Sequence, residues 1–227
     1  MSNELLTLLL PLIGVIIGGS VAIVGSLLTK RQERKSQIYK ILVEKRIDVY
    51  EKILTITKSF QLGTYKIEND EKISRPMALA KDAKTYTSIF LHYIEVTRNN
   101  NHLMDIDLRR KTTDFYNYLA NLEQYLKLLR TDDGEWKDEK IIEKLGYMLN
   151  DDFVKLTSAI EVEISNFFSA KIYKSKFKSS TLDKSMNKKE MDISPEFLKL
   201  NLFKRENQIE ELLKEYIENE QTTKSER

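Results

Sequence analysis

LLTLLLPLIGVIIGGSVAIVGSLLT, residues 5–29, contains no ionisable side chain. As a helix this run extends roughly 37 Å, which exceeds the roughly 30 Å hydrocarbon core of a bilayer. The preceding tail, MSNE, holds no Lys or Arg, so the run lacks the basic region that opens a secretory signal peptide. We therefore predict an external tail over residues 1–4 and an uncleaved transmembrane helix over residues 5–29.

A basic cluster follows the apolar run at once and consists of Lys30, Arg31, Arg34 and Lys35. Cytoplasmic flanks of membrane helices carry excess Lys and Arg. The cluster predicts that the chain crosses the cell's inner (cytoplasmic) membrane once, with its N-terminus outside and residues 30–227 in the cytoplasm. It also predicts contact with anionic lipid, which contributes about 1 kcal/mol per basic residue near the surface.

Small residues recur at every fourth position of the run, at Gly14, Gly18, Ala22 and Ser26. Helices in lipid associate where small side chains permit close backbone approach, although glycine is also simply common in membrane helices. The spacing predicts self-association and hence a homo-oligomer. Gly19 and Gly25 are expected off this line, where a ring of copies would need a second interface.

The remaining chain predicts an all-α protein, with a cytoplasmic antiparallel helical bundle over residues 30–170. Charged residues make up 32% of the sequence and hydrophobic residues 41%, and helical spacing dominates throughout. No Pro or Gly interrupts residues 26–62, so we expect the membrane helix to continue directly into the body. This helix has a heptad seam that comprises Tyr39, Leu42, Arg46, Val49, Ile53, Ile56 and Phe60. The seam faces either the bundle of the same chain or the same helix of a second chain.

Three further helices are expected in the bundle. After a loop over residues 68–74, a helix starts near Pro76 and covers residues 76–98, and a third helix is capped by Asp105 or Asp107. The apolar stripe of the third helix comprises Leu108, Phe115, Leu119, Leu122, Leu126 and Leu129. After a turn at 131–136, a fourth helix begins near residue 137, and its inward positions are Ile142, Leu145, Leu149, Phe153, Leu156, Ile160, Ile164 and Phe167.

The C-terminal part changes character. Residues 171–193 form a Lys/Ser-rich segment with seven Lys, which we interpret as a loop that is either solvated linker or a contact for lipid or nucleic acid. A last helix is expected over residues 194–220, with Pro195 at its first position, and a disordered tail over 221–227.

Motifs for catalysis or cofactor binding are missing from the sequence. There is no Cys, no phosphate-binding Gly-rich motif and no H-E-x-x-H. Arg98 and His102 enclose three residues, one fewer than the R-x(4–6)-H ribonuclease signature of HEPN-type helical bundles. We therefore predict no enzyme, no catalytic residue, no cofactor, no metal site and no specific nucleic-acid partner.

In layout the chain resembles small bacterial membrane proteins of antiphage and prophage neighbourhoods. The shared elements are a short outside tail, one Gly-rich span, a basic junction and a cytoplasmic helical bundle. It is also similar in layout to the HEPN-like membrane accessory protein of certain CRISPR systems, which assembles into a pore. The resemblance implies membrane perturbation by an oligomer and assigns no residue.

Two functional hypotheses follow. In the first, the chain is a non-enzymatic membrane effector in bacterial antiviral defence that self-associates through its transmembrane helix and perturbs or permeabilises the membrane. In the alternative, it is a membrane-tethered adaptor whose cytoplasmic bundle docks a protein partner.

Overall fold

A computed structural model describes the backbone of residues 3–68, 71–170 and 196–225, and the side chains of residues 19–64, 74–169 and 196–217 except residue 215. Most of the described chain is helical, which confirms the all-α class. The chain divides into two compact units, Met1–Ile47 and Asp48–Arg227. The predicted Lys/Ser-rich loop at 171–193 lies outside the described residues.

The first helix, α1, spans Asn3–Gln61 without interruption, and the absence of Pro and Gly over residues 26–62 predicts its continuation beyond the apolar run. The whole apolar run lies within its bounds, but only residues 19–29 of that run have described side chains. Among the residues that the structure describes, no helix is both long and apolar enough to cross a membrane.

The second unit is a helical bundle that contains the end of α1. A hairpin of two strands follows, β1 at Gly63–Glu68 and β2 at Glu71–Pro76, and then helices α2 at Met77–Ala80, α3 at Ala83–Asn99, α4 at Ile106–Leu126 and α5 at Glu139–Ala170. Short 3-10 turns lie at Asn101–Leu103 and Lys127–Leu129. A further 3-10 turn at Phe197–Lys199 precedes α6 at Asn201–Lys204 and α7 at Glu206–Ser225.

An aromatic cluster around Phe60 forms the centre of the bundle. The Phe60 ring lies 5.2 Å from Phe115 of α4 and 5.9 Å from Phe153 of α5, measured between ring centroids. It also meets the edges of Tyr86 and Tyr93 of α3, at 6.4 and 6.5 Å. All five rings are at most 2% exposed, so one side chain of α1 joins three other helices.

The apolar stripes predicted for α4 and α5 are confirmed. The stripe of α4, continued to Leu129, is buried along its whole length, and so is that of α5 apart from the half-buried Leu156. Asp105 caps α4, since its carboxylate accepts the Leu108 backbone N–H at 3.0 Å. The last part of the predicted α1 seam, from Val49 to Phe60, belongs to the core of the second unit.

The prediction of a loop at residues 68–74 is wrong, because a β-hairpin occupies this region. Gly63 pairs with Pro76 and Glu68 with Glu71, in antiparallel register. Gly63 and Gly146 allow β2 to lie close to its neighbours, since a Cβ at Gly146 would stand 3.0 Å from the Arg75 Cβ. The alternation typical of a strand is weak here, because β1 has only Tyr65 and Ile67 as large apolar residues and β2 only Ile73.

The predicted helix over residues 76–98 is also divided. It breaks at Lys81 and Asp82, and α3 begins with Asp82 as its N-cap. The Thr85 backbone N–H donates to the Asp82 carboxylate at 2.6 Å, and this hydrogen bond lowers the pKa of Asp82. The chain therefore starts a new helix at this point, because the Asp82 carboxylate accepts a hydrogen bond from a backbone N–H that has no partner within the first turn of α3.

The single C-terminal helix predicted for residues 194–220 is instead divided into a 3-10 turn, the short α6 and the longer α7. Since α7 extends to Ser225, the tail predicted to be disordered from residue 221 is helical as far as that residue. Leu200 and Arg205 lie between these elements with non-helical backbone angles. The apolar residues of this segment nevertheless join the core, with Leu202 and Ile209 at most 1% exposed.

Candidate interaction surface on the first helix

Residues 31–45 of α1 form an exposed face that combines positive charge with apolar side chains. At 100° per residue, an arc of about 120° contains Arg31, Arg34, Lys35, Ile38, Ile41, Leu42 and Lys45. Ile38 and Ile41 are 54% and 53% exposed, and Leu42 is 40% exposed. We call this arc the basic–apolar face. It includes three members of the predicted basic cluster, and the fourth, Lys30, lies beside it and is exposed.

The acidic residues of this part of α1 lie on the other side of the helix. Glu33 and Glu44 share that side with Lys40, whose Nζ lies 4.0 Å from a carboxylate oxygen of Glu44. The four cations of the basic–apolar face form no ion pair with any residue that the structure describes. No described acidic side chain therefore compensates their positive charge around the three exposed apolar side chains.

Small residues form a separate face earlier on α1. Ala22 and Ser26 are exposed, whereas the side-chain surroundings of Gly14 and Gly18 lie outside the described residues. Gly19 and Gly25 were expected off the small-residue line, and this is wrong for the described helix. Both fall with Ala22 and Ser26 in one arc of about 120°. A Cβ built at Gly19 or Gly25 meets nothing within 4 Å.

Large apolar side chains occupy the opposite side of the same stretch. These side chains are all more than half exposed. They belong to Val21, Ile23, Val24, Leu27 and Leu28. The described part of the apolar run, residues 19–29, thus carries small residues on one side of the helix and large apolar residues on the other. The basic–apolar face further along α1 lies on the side of the large residues, about 160° from the centre of the small-residue face.

The Arg98–His102 segment spans the end of α3 and the turn that follows it. Arg98 lies in the last turn of α3 and His102 in the following 3-10 turn, and both are exposed. Arg98 lines a pocket of about 310 Å³ between α3 and α4, but His102 does not. Among described residues, no carboxylate and no His lines this pocket beside Arg98, and its other polar lining is Thr97, Asn101, Thr112, Thr113 and Tyr116.

A second groove lies between the end of α1 and α3. Its volume is about 460 Å³, and His92 lies at its edge. His92 pairs only loosely with Glu95, at 3.8 Å, and both side chains are mostly exposed. No cluster of three His, Asp or Glu residues suited to a metal ion occurs in the part of the chain that the structure describes.

Buried polar groups in the second unit support the fold. Asp152 of α5 accepts backbone N–H groups of α6, and burial raises its pKa although these hydrogen bonds act in the opposite direction. Tyr118 donates its hydroxyl to the same carboxylate at 3.3 Å. Glu123 and Arg130 form a largely buried ion pair at 2.9 Å. These contacts join elements of the bundle to one another.

No family model, no curated protein and no solved structure matches this chain.

Proposed function

We propose that this chain is a membrane-anchored, non-enzymatic protein whose residues 5–29 lie in the bilayer and whose folded body lies on the cytoplasmic side. The exposed large apolar side chains at residues 21–28 carry the proposal. Five of them are 56–66% exposed on a helix that offers them no packed partner among described residues. Removing one such side chain from water is worth about 1.5–3 kcal/mol, which favours lipid contact.

In this proposal, copies associate in the membrane through the small-residue side of α1. Gly14, Gly18, Ala22 and Ser26 permit close approach of two backbones, and Gly25 adds to the same side. The large apolar residues opposite then face lipid, which is the division of roles that helix pairs in membranes use. Oligomers of this kind would perturb or permeabilise the membrane, in keeping with an effector of bacterial antiviral defence.

Orientation follows from the basic cluster after the run. Lys30, Arg31, Arg34 and Lys35 are all exposed, and the tail before the run has no basic side chain. The excess of positive charge on one flank favours a cytoplasmic body and an external N-terminus. Contact of the cluster with anionic headgroups adds to the anchoring.

Fractionation of bacteria that express the full chain tests the anchor. Wild type should remain in the membrane fraction after an alkaline wash. The double change Ile16→Lys and Ile17→Lys should release the chain, because each Lys near the middle of a span costs about 2.5–3.5 kcal/mol. The matched control adds the same charge beyond the run, with Gln32→Lys and Gln37→Lys, and should stay in the membrane. Release of wild type by the wash would refute the proposal.

A second candidate function is a membrane-tethered adaptor. The basic–apolar face favours it, because an exposed surface with unpaired cations and apolar side chains is suited to docking. Replacing residues 5–29 with an unrelated single span should preserve an adaptor's activity. The same replacement should abolish an effector that acts through its own span.

A further inference from the structure

We infer that the basic–apolar face of α1 binds an acidic amphipathic helix of a partner protein. The inference rests on the proposed function only in placing this face outside the bilayer. It assigns a surface and a class of partner to the cytoplasmic side of the anchor.

The chemistry of the face sets the chemistry of its partner. Ile38, Ile41 and Leu42 occupy positions i, i+3 and i+4, the spacing at which one helix packs against another. Four cations flank them, because Arg31, Arg34 and Lys35 precede the apolar group along α1 and Lys45 follows it. A partner helix with an apolar stripe bordered by Asp or Glu complements both features.

Lipid is a poor occupant for the apolar part of this face. Leu42 lies thirteen residues beyond Thr29 on the same uninterrupted helix, which corresponds to about 20 Å along its axis. The polar headgroup layer is only about 5–8 Å thick on each side of the hydrocarbon core. Headgroups can therefore cover Lys30 and Arg31, whereas Ile38 to Leu42 project beyond them if α1 crosses the membrane along its axis.

A second copy of α1 is also a poor occupant. A symmetric pair through this face would bring Arg31, Arg34, Lys35 and Lys45 against the same cations of the other copy, which is electrostatically unfavourable. Pairing through the small-residue side turns the basic–apolar face about 160° away from the contact. The face thus stays accessible in the oligomer that the proposed function requires.

The test measures peptide binding to the full chain in a mild detergent. The probe is a fluorescein-labelled amphipathic peptide of Leu, Glu and Ala, about four helical turns long, and its control is a scrambled peptide of the same composition. We expect the amphipathic peptide to bind at least about tenfold more tightly than the scrambled one. Equal binding of both peptides would show that charge alone attracts them and would overturn the inference.

Matched variants place the binding on one side of α1. Arg34→Glu and Ile41→Asn should each weaken binding about tenfold, whereas Lys40→Glu, the same charge reversal on the opposite side, should leave it within about twofold. All three positions are exposed, so the variants should fold alike. A loss with Lys40→Glu as large as that with Arg34→Glu would overturn the inference.

Nanodiscs separate the lipid outcome from the protein outcome. The peptide should bind the chain equally in discs of phosphatidylcholine and in discs that also contain phosphatidylserine. Loss of binding only in the phosphatidylserine discs would show that anionic lipid covers the face, against the inference. The peptide measurement in detergent needs no bilayer. If the chain binds the peptide but is released from membranes by the alkaline wash, the membrane anchor is refuted and the docking face is not.

Discussion

The Asp152 carboxylate accepts the backbone N–H of Asn201, forty-nine residues further along the chain, at 2.8 Å. Its second oxygen accepts the Leu202 N–H at 2.9 Å, so one side chain of α5 holds the start of α6. Asp152 is only 3% exposed. A buried carboxylate that satisfies two backbone donors ties the C-terminal segment to the bundle.

Asp152→Ala should lower the free energy of unfolding by about 2–3 kcal/mol, because it leaves two backbone N–H groups and the Tyr118 hydroxyl without their acceptor. Urea titration of the full chain in detergent measures this loss, and hydrogen exchange should rise first around residues 201–213. The neighbouring Asp151 is exposed, and Asp151→Ala is the matched control. Equal losses in the two variants would contradict the assigned role.

The free energy of unfolding should depend on pH through the ionisation of Asp152. Burial raises the pKa of Asp152 above its ordinary value, with the nearby Asp151 charge adding to the rise. A carboxyl whose pKa is higher in the folded state contributes stability that is fully present at low pH and is lost as the pH rises through that folded pKa.

Urea midpoints of wild type and of Asp152→Asn should be measured from pH 7 down to pH 4. The free energy of unfolding of wild type should increase relative to that of Asp152→Asn as the pH falls. Tyr118 faces the same carboxyl but stays protonated in this range, since burial raises its pKa further. Asp114, whose pKa burial also raises, is present in both proteins and cancels in the comparison. A difference that stays constant with pH would contradict this assignment.

Phe60→Ala should be among the most destabilising single changes in the bundle, with a loss of about 3–5 kcal/mol. The Phe60 ring is fully buried and contacts the rings of Tyr86, Phe115 and Phe153, so its removal opens a cavity between four helices. Tyr116→Ala, which removes an aromatic ring that is 40% exposed, should cost clearly less. Urea midpoints of both variants provide the comparison.

Self-association should depend on the small-residue side of α1. Ala22→Leu places a bulky side chain between helices that approach closely, and should reduce the cross-linked oligomer in membranes about tenfold. Val24→Leu on the large-residue side should leave the oligomer unchanged. Gly18→Leu should act like Ala22→Leu. Full cross-linking of Ala22→Leu would remove this interface from the proposal.

The sequence predicted those parts of the fold that depend on local pattern. The buried stripe from Leu108 to Leu129 and the Asp105 cap follow from helical spacing and capping chemistry within a few turns. The uninterrupted α1 follows likewise from the absence of Pro and Gly over residues 26–62. The same local reasoning gave the uncharged run at residues 5–29 and the basic cluster behind it.

The candidate surface was only partly accessible from sequence. Lys30, Arg31, Arg34 and Lys35 stand out as a cluster, but Leu42 was assigned to a heptad seam together with Phe60. The structure buries Phe60 and leaves Leu42 exposed. A projection of residues 31–45 at 100° per residue would have revealed the basic–apolar face, since it requires only the helix and its periodicity.

By itself, the sequence determined the uninterrupted end of α1 and the apolar stripes of α4 and α5, because these properties arise from neighbours within a few residues. Tertiary structure decided the hairpin at residues 63–76 and the docking of Asn201 by Asp152. Both depend on partners brought together by folding: Gly146 of α5 admits β2, and a buried carboxylate finds backbone donors far along the chain. Such contacts carry little local signal, because their stability comes from burial and from hydrogen bonds that exist only once the bundle is assembled.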